Sequence, residues 1–248
     1  MLTAYLNATR TLQQNPSATT DLYSDADLTT YINTARGQVA GESESIRYLG
    51  TIPTVVNQQV YNFSGIDTGV SGTNGIEGVI NVRSIRYSIA SGTRWIPPRN
   101  WEWFEFYVLN NPVPQAGPPT IWSQYGQGSA PGATGSVSGG SFYINVPDIV
   151  YTLNCDCVCY PIPLVDDTTK EALPYLWTDA VPFFAAYYAY LSAQTGARQA
   201  DAERMYNHYE TFLERARKSA NPAVNRWQGS QAQDPAQAAK FGIKSGAQ

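Results

Sequence analysis

Apolar positions change their spacing twice along this chain, and each change marks a boundary. Over residues 1 to 15, Leu2, Tyr5, Leu6, Thr9 and Leu12 recur at helical spacing and Pro16 fits the end, which predicts a short helix. A second helix is predicted after Ser24 or Asp25, either of which can cap it, with Asp25 and Asp27 near its positive end. Leu28, Ile32, Ala35 and Val39 are its apolar stripe. Gly37 and Gly41 weaken its second half but would let another helix come close.

From Leu49 to about Leu164 no long helical pattern survives. TVVNQQVYNF (54–63), VINVRSIRYSI (79–89), TIWSQYG (120–126), SFYINV (141–146) and IVYTLNCDCVCY (149–160) read as strands. Gly-rich stretches separate several of them, and GQGSAPGATGSVSGGS (126–141) reads as a long, mobile hairpin tip. A short helix is predicted within 99–111, because Pro97 and Pro98 suit a helix start and Trp101, Phe104 and Val108 fall on one side. Helical spacing then returns. A short helix is expected over 168–177, interrupted by Pro174. AVPFFAAYYAYLSAQ (180–194) follows, apolar on nearly every face and closed by Gly196. A helix apolar all round must be covered on every side, by its own domain or by neighbouring copies. Residues 198–219 form the clearest amphipathic helix, with Ala202, Met205, Tyr206, Tyr209, Phe212, Leu213 and Ala216 on one stripe and Arg217 and Lys218 near its negative end.

The order is thus helices 1–48, a β-rich part 49–165, helices 166–220 and a tail 221–248, an α+β chain. The tail is too poor in apolar groups to fold alone. It still carries the spaced anchors Val224, Trp227, Phe241 and Ile243, so it is either a free end or a segment that orders on a partner.

Composition sharpens this toward assembly. Charged residues make up 15% of the chain, below the ordinary share of about 25%, while seventeen Tyr and six Trp supply large amphipathic rings. Interface cores are depleted in charge and enriched in such rings. A net charge of −4 with no basic run leaves no electrostatic footprint for holding nucleic acid. No stretch reaches the ~18 to 20 apolar residues of a membrane span, and the N-terminal segment is too polar for a signal peptide, so neither membrane insertion nor export by the Sec route is expected.

Candidate chemistry is sparse. Cys155, Cys157 and Cys159 occupy alternate positions of one predicted strand and share a face opposite Asp156 and Val158. Residues two apart on a pleat are badly placed for a disulfide, and a structural zinc site would have to reach the single histidine, His208. The thiols are therefore expected to pack as small hydrophobes in the core of a protein assembled in a reducing compartment. His208 is expected on a wet helix face, and no nucleophile, phosphate-binding or metalloprotease motif occurs. The acidic pairs Asp166/Asp167, Glu102/Glu105 and Glu42/Glu44 read as caps and solvated faces. No enzymatic activity, metal or cofactor is expected. Trp95, Trp101, Trp103 and Trp122 offer the alternative of a sugar-stacking platform, as in a tail-associated carbohydrate- or receptor-binding module.

YINTARGQVAGES (31–43), FYINVPDIVYTLNCDCVCYPIPLVDD (142–167), EALPYLWTDAVPFFAAYYAYLSAQTG (171–196) and DAERMYNHYETFLERAR (201–217) together make a pattern that spans roughly residues 20 to 220. It comprises a "YIN-AR" helix, a strand ending in a double-Asp turn, and a closing pair of Ala- and Tyr-rich helices. In this order the chain resembles the head-to-tail adaptor, or connector, proteins of tailed bacteriophages, most closely those of short-tailed phages. The resemblance implies that the N- and C-terminal helices, 24–45 and 168–219, form one helical bundle with a central antiparallel β domain, sandwich or barrel-like, inserted between them. It implies a ring of roughly twelve copies, a dodecamer, beneath the portal protein at the capsid vertex, assembled in the host cytoplasm. A tail tube or nozzle protein would attach below, and double-stranded DNA would pass through without sequence-specific binding. Residues 221–248, with Val224, Trp227, Phe241 and Ile243, would grip the portal, and Phe183, Phe184, Tyr187, Tyr188 and Leu191 would pack between subunits.

Overall fold

The computed structural model describes residues 1–14, 23–69, 75–89, 92–111, 116–128, 140–192 and 196–220. Helix α1 (Leu2–Leu12) is followed by α2 (Asp25–Ser43), which opens on a capping box. The Ser24 hydroxyl accepts the Asp27 N–H at 3.1 Å, and the Asp27 carboxylate accepts the Ser24 N–H at 3.3 Å. Two of the four orphan donors of the first turn are thereby satisfied. Glu44, at φ 50°, ends the helix in the left-handed region. The α2 stripe buries Leu28, Ile32, Ala35 and Val39 as its spacing predicts, and adds Arg36. Gly37 and Gly41 are not approached closely: nothing lies within 4 Å of where a Cβ would stand on either.

Two antiparallel sheets follow. One has the order β1 (Arg47–Pro53), β7 (Thr152–Pro161), β3 (Ile76–Ile89), β4 (Gly92–Ile96), and the other β2 (Val60–Asn62), β6 (Ser141–Ile144), β5 (Trp122–Tyr125). They are stitched by the Trp122 indole N–H to the Ile96 carbonyl at 3.0 Å and by the Gly128 N–H to the Ile80 carbonyl at 2.8 Å. Strand boundaries depart from the sequence pattern for local reasons. Of 54–63 only β2 is strand, because Asn57 sits at φ 64° and the Gln58 N–H closes a turn onto the Val55 carbonyl at 3.0 Å. β4 gives no alternation because, as an edge strand, it exposes every residue except Ile96. β3 starts three residues earlier than expected, and register shifts between Ile76 and Gly78, Val79 and Asn81, and Val82 and Ser84 blur its period. Only past the last shift is the alternation clean.

The expected helix within 99–111 is α3 (Trp101–Phe104), which widens into a π-helical turn at Glu105–Leu109. The helix expected over 168–177 shrinks to α4 (Tyr175–Thr178), because extended Pro174 is its N-cap and Asp166 holds Thr168 and Thr169 in a turn. α5 (Val181–Ser192) and α6 (Gly196–Ala220) complete the described chain, and Gly196 opens α6 instead of closing α5. α5 packs against α1, α2 and α6, while α2 lies against β7. One continuous core includes Ile32 and Val39 of α2, Leu153 and Cys157 of β7, Phe142 of β6, Phe184 of α5 and Leu213 of α6.

Candidate interaction surfaces

The two halves of the sequence pattern meet in a buried polar network. Arg36, fully buried on α2, donates through Nε and Nη2 to both Glu171 carboxylate oxygens at 2.8 to 3.2 Å. Its Nη1 reaches the Ile162 carbonyl at 2.7 Å and Asn33 Oδ1 at 3.1 Å. Asn33 in turn pairs with the Leu164 backbone in both directions, accepting its N–H at 2.8 Å and donating to its carbonyl at 3.0 Å. Glu171 also accepts the Tyr5 hydroxyl at 3.1 Å and the Leu173 N–H at 2.9 Å. Burial, then the Glu171 charge, push the Tyr5 phenol far above its usual range. A charge so enclosed is tolerable only because its hydrogen-bonding capacity is met on all sides.

The double-Asp turn adds a second tie. Asp166 Oδ1 accepts the N–H groups of Thr168 and Thr169, each at 2.9 Å, and both hydroxyls. Asp167 accepts the Met1 amine at 2.6 Å, the Thr3 N–H at 2.9 Å and the Thr3 hydroxyl. Those hydrogen bonds hold both carboxyls below the ordinary range. Neither aspartate caps a helix, contrary to the expectation from sequence. Residues 162–173 are thus fastened to α1 and α2. Sequence reasoning held Asn33, Arg36 and Glu171 only as parts of a pattern and Tyr5 only as a position on an apolar stripe, and missed their joining because Glu171 lies more than a hundred positions from both Tyr5 and Arg36.

The cysteine face is core. Cys155, Cys157 and Cys159 are free thiols and fully buried, and desolvation raises all three, Cys155 and Cys159 to about 12. A thiol that keeps its proton is a poor nucleophile and a poor metal ligand. His208 is exposed, with its ring 5.6 Å from that of Phe183. Glu44 pairs with Arg83, and Glu42 accepts from Gln38 at 2.5 Å, whereas Glu102 and Glu105 are exposed on α3 and the π turn.

The α5 residues expected between subunits are partly satisfied within the chain. Phe184 is buried against Tyr209, Phe183 stacks on Phe212 at 4.9 Å, Tyr187 meets Tyr206 and Tyr188 stacks on Tyr31. Only Leu191 of the five is exposed, at 45%. The cover that an all-round apolar helix requires comes largely from α1, α2 and α6, so that requirement does not itself call for another copy. Val224, Trp227, Phe241 and Ile243 lie outside the described residues, as does most of the 126–141 tip.

The four tryptophans do not form one platform. Trp122 is buried, and Trp101 is half-buried among Phe104, Tyr125 and Tyr143. Trp103 is half-buried between Tyr107 and the Arg99 guanidinium. Trp95 alone stands out, 58% exposed on β4. Other apolar surfaces are open among the described residues. The π turn presents Phe106 and Tyr107, and two hydrogen-bonded loops present Val55 and Val56 beside Ile149 and Val150. A groove of about 540 Å³ runs between α1, α4, α5 and α6, lined by Ala4, Ala8, Leu12, Pro182, Phe183 and Phe212. No helix among the described residues is long and apolar enough to cross a membrane.

A comparison of the chain with protein-family models and with curated proteins found no match in either.

Proposed function

We propose that this chain is a head-to-tail adaptor of a tailed bacteriophage, most like those of short-tailed phages. It works as a ring, a dodecamer, that joins the portal to a tail tube or nozzle protein and lines part of the DNA channel. The observation that carries the proposal is the buried network. The residues on which the likeness to adaptors rests, Asn33 and Arg36 of the "YIN-AR" helix and the segment leading to the double Asp, are joined by hydrogen bonds into one unit, which supports reading them as a single pattern. In this reading α1, α2, α5 and α6 are one bundle, and the two sheets are the domain inserted into it. The apolar groove, the Phe106 and Tyr107 surface and the Val55 to Val150 tip are the surfaces left for portal, neighbour and tail components. A chain of net charge −4 suits a channel that must not retain DNA, since each phosphate neutralised slows passage.

Electron microscopy of the purified chain mixed with its cognate portal is the test. A cyclic ring on the tail-side face of the portal is expected. Monomers that leave the portal bare would overturn the proposal.

A further inference from the structure

We infer that the solvent face of the four-stranded sheet binds an anionic saccharide, with Trp95 as the stacking platform and Arg86 as the counter-charge. This goes beyond the adaptor reading and does not depend on it. Strand register builds the face. Arg86 stands opposite Trp95 on one neighbour and Asn154 on the other, and Asn154 stands opposite Thr51, so the four make one cross-strand row. Ser88 opposite Thr93 flanks that row on one side, and Ser84 opposite Asp156 flanks it on the other. Paired side chains across strands stand about 5 Å apart at Cβ, close to the width of a pyranose ring. A cleft of about 590 Å³ opens over Ser84, Arg86, Ser88, Thr93, Asn154 and Asp156, with Leu49 also in its lining, and Trp95 stands opposite Arg86 on the edge strand.

The charges on the face are unevenly committed. Asp156 is held by Arg47, one contact being 3.1 Å. Arg86 makes no hydrogen bond or ion pair among the described residues. An uncommitted guanidinium therefore stands next to an indole that is 58% exposed, in a surround of amide and hydroxyl groups broken by Leu49 and the Arg47–Asp156 pair. The C–H face of a pyranose covers an indole, while its hydroxyls need partners that both donate and accept, which Asn154, Ser84 and Ser88 supply. A planar guanidinium binds a carboxylate or phosphate through two parallel hydrogen bonds. Nucleic acid fits poorly, since one free cation cannot neutralise a run of phosphates. Among the described residues, Leu49 is the one large apolar side chain that lines the cleft, fewer than a protein interface core would gather there.

The test titrates the full chain with a galacturonate oligomer, a neutral glucose oligomer of equal length and glucose 6-phosphate, read by calorimetry. The galacturonate oligomer is expected to bind at least about tenfold more tightly than the neutral one at low salt. Glucose 6-phosphate binding with similar preference would assign the anion pocket to phosphate as well as carboxylate, and its failure would restrict the pocket to carboxylates. Trp95→Ala is expected to weaken every ligand by about tenfold or more, and Arg86→Gln to bring the galacturonate oligomer down to the neutral level. Trp103→Ala is the control and leaves binding unchanged. Both tested side chains are exposed, so thermal midpoints of the variants are expected to match the parent. Absence of saturable binding, binding indifferent to Trp95→Ala, or a protein that occupies the face while no saccharide does would each overturn the inference. A chain that binds the saccharide yet ignores the portal refutes the adaptor reading alone.

Discussion

Arg36 and Glu171 are worth most when removed singly. Arg36→Ala leaves a buried carboxylate without its partner, and Glu171→Gln leaves a buried guanidinium, so each is expected to cost about 3 to 5 kcal/mol in urea unfolding. Arg217→Ala, at a half-exposed helix end, is expected to cost no more than about 1 kcal/mol. The cysteines give a pH signature. Burial raises Cys155 and Cys159 from an ordinary 9.0 to about 12, so the folded state holds protons that the unfolded chain releases. Their contribution is complete below pH 9 and is lost as pH rises toward 12, and the urea midpoint is expected to fall across that window. The fall should be smaller in Cys155→Ala and Cys159→Ala. The thiols should also resist Ellman's reagent at pH 8 until the chain is unfolded, and rapid reaction of the native protein would refute their burial. The thiol face was legible from alternation alone. The Arg36 network was not, because its partners lie in unrelated stretches and a lone arginine on a helix ordinarily reads as solvated.

Elements were legible where a face is buried and a boundary has its own chemistry. The stripes of α2 and α6 follow their predicted residues, and the Ser24 cap sets the start of α2. Ser24→Ala is expected to cost about 1 kcal/mol by chemical denaturation, with the helix retained by its packing. Legibility failed where burial on both sides or on neither removes the period, as in exposed β4 and the bulged start of β3. It failed too at Gly196, where a glycine between two helices serves either neighbour equally well in sequence. α5 shows the limit of composition: an almost wholly apolar helix can be covered by three helices of its own chain. Phe184→Ala is accordingly expected to cost about 3 to 5 kcal/mol in the isolated chain. Leu191→Ala should leave that stability within about 0.5 kcal/mol and show its effect only in assembly.

At the scale of the molecule, the mixture of helices and antiparallel strands was readable from the two changes of spacing, but the routing of the chain was not. Strand order β1-β7-β3-β4 places the first and last strands of the sequence side by side, a pairing that no local signal encodes. Deleting residues 221–248 is expected to leave circular dichroism and the unfolding midpoint unchanged while abolishing co-sedimentation with the portal. Unchanged co-sedimentation would remove the tail from the docking proposal. The Arg36 to Glu171 clamp also has a bearing on how the protein is made, since its two ends are 135 residues apart. At a synthesis speed of about 5 to 20 residues per second, a ribosome needs roughly 7 to 27 s to travel from one to the other. During that interval the newborn leading helices carry an unanswered guanidinium and a bare greasy stripe. They are the segment that a holding chaperone would cradle and a housekeeping protease would find first.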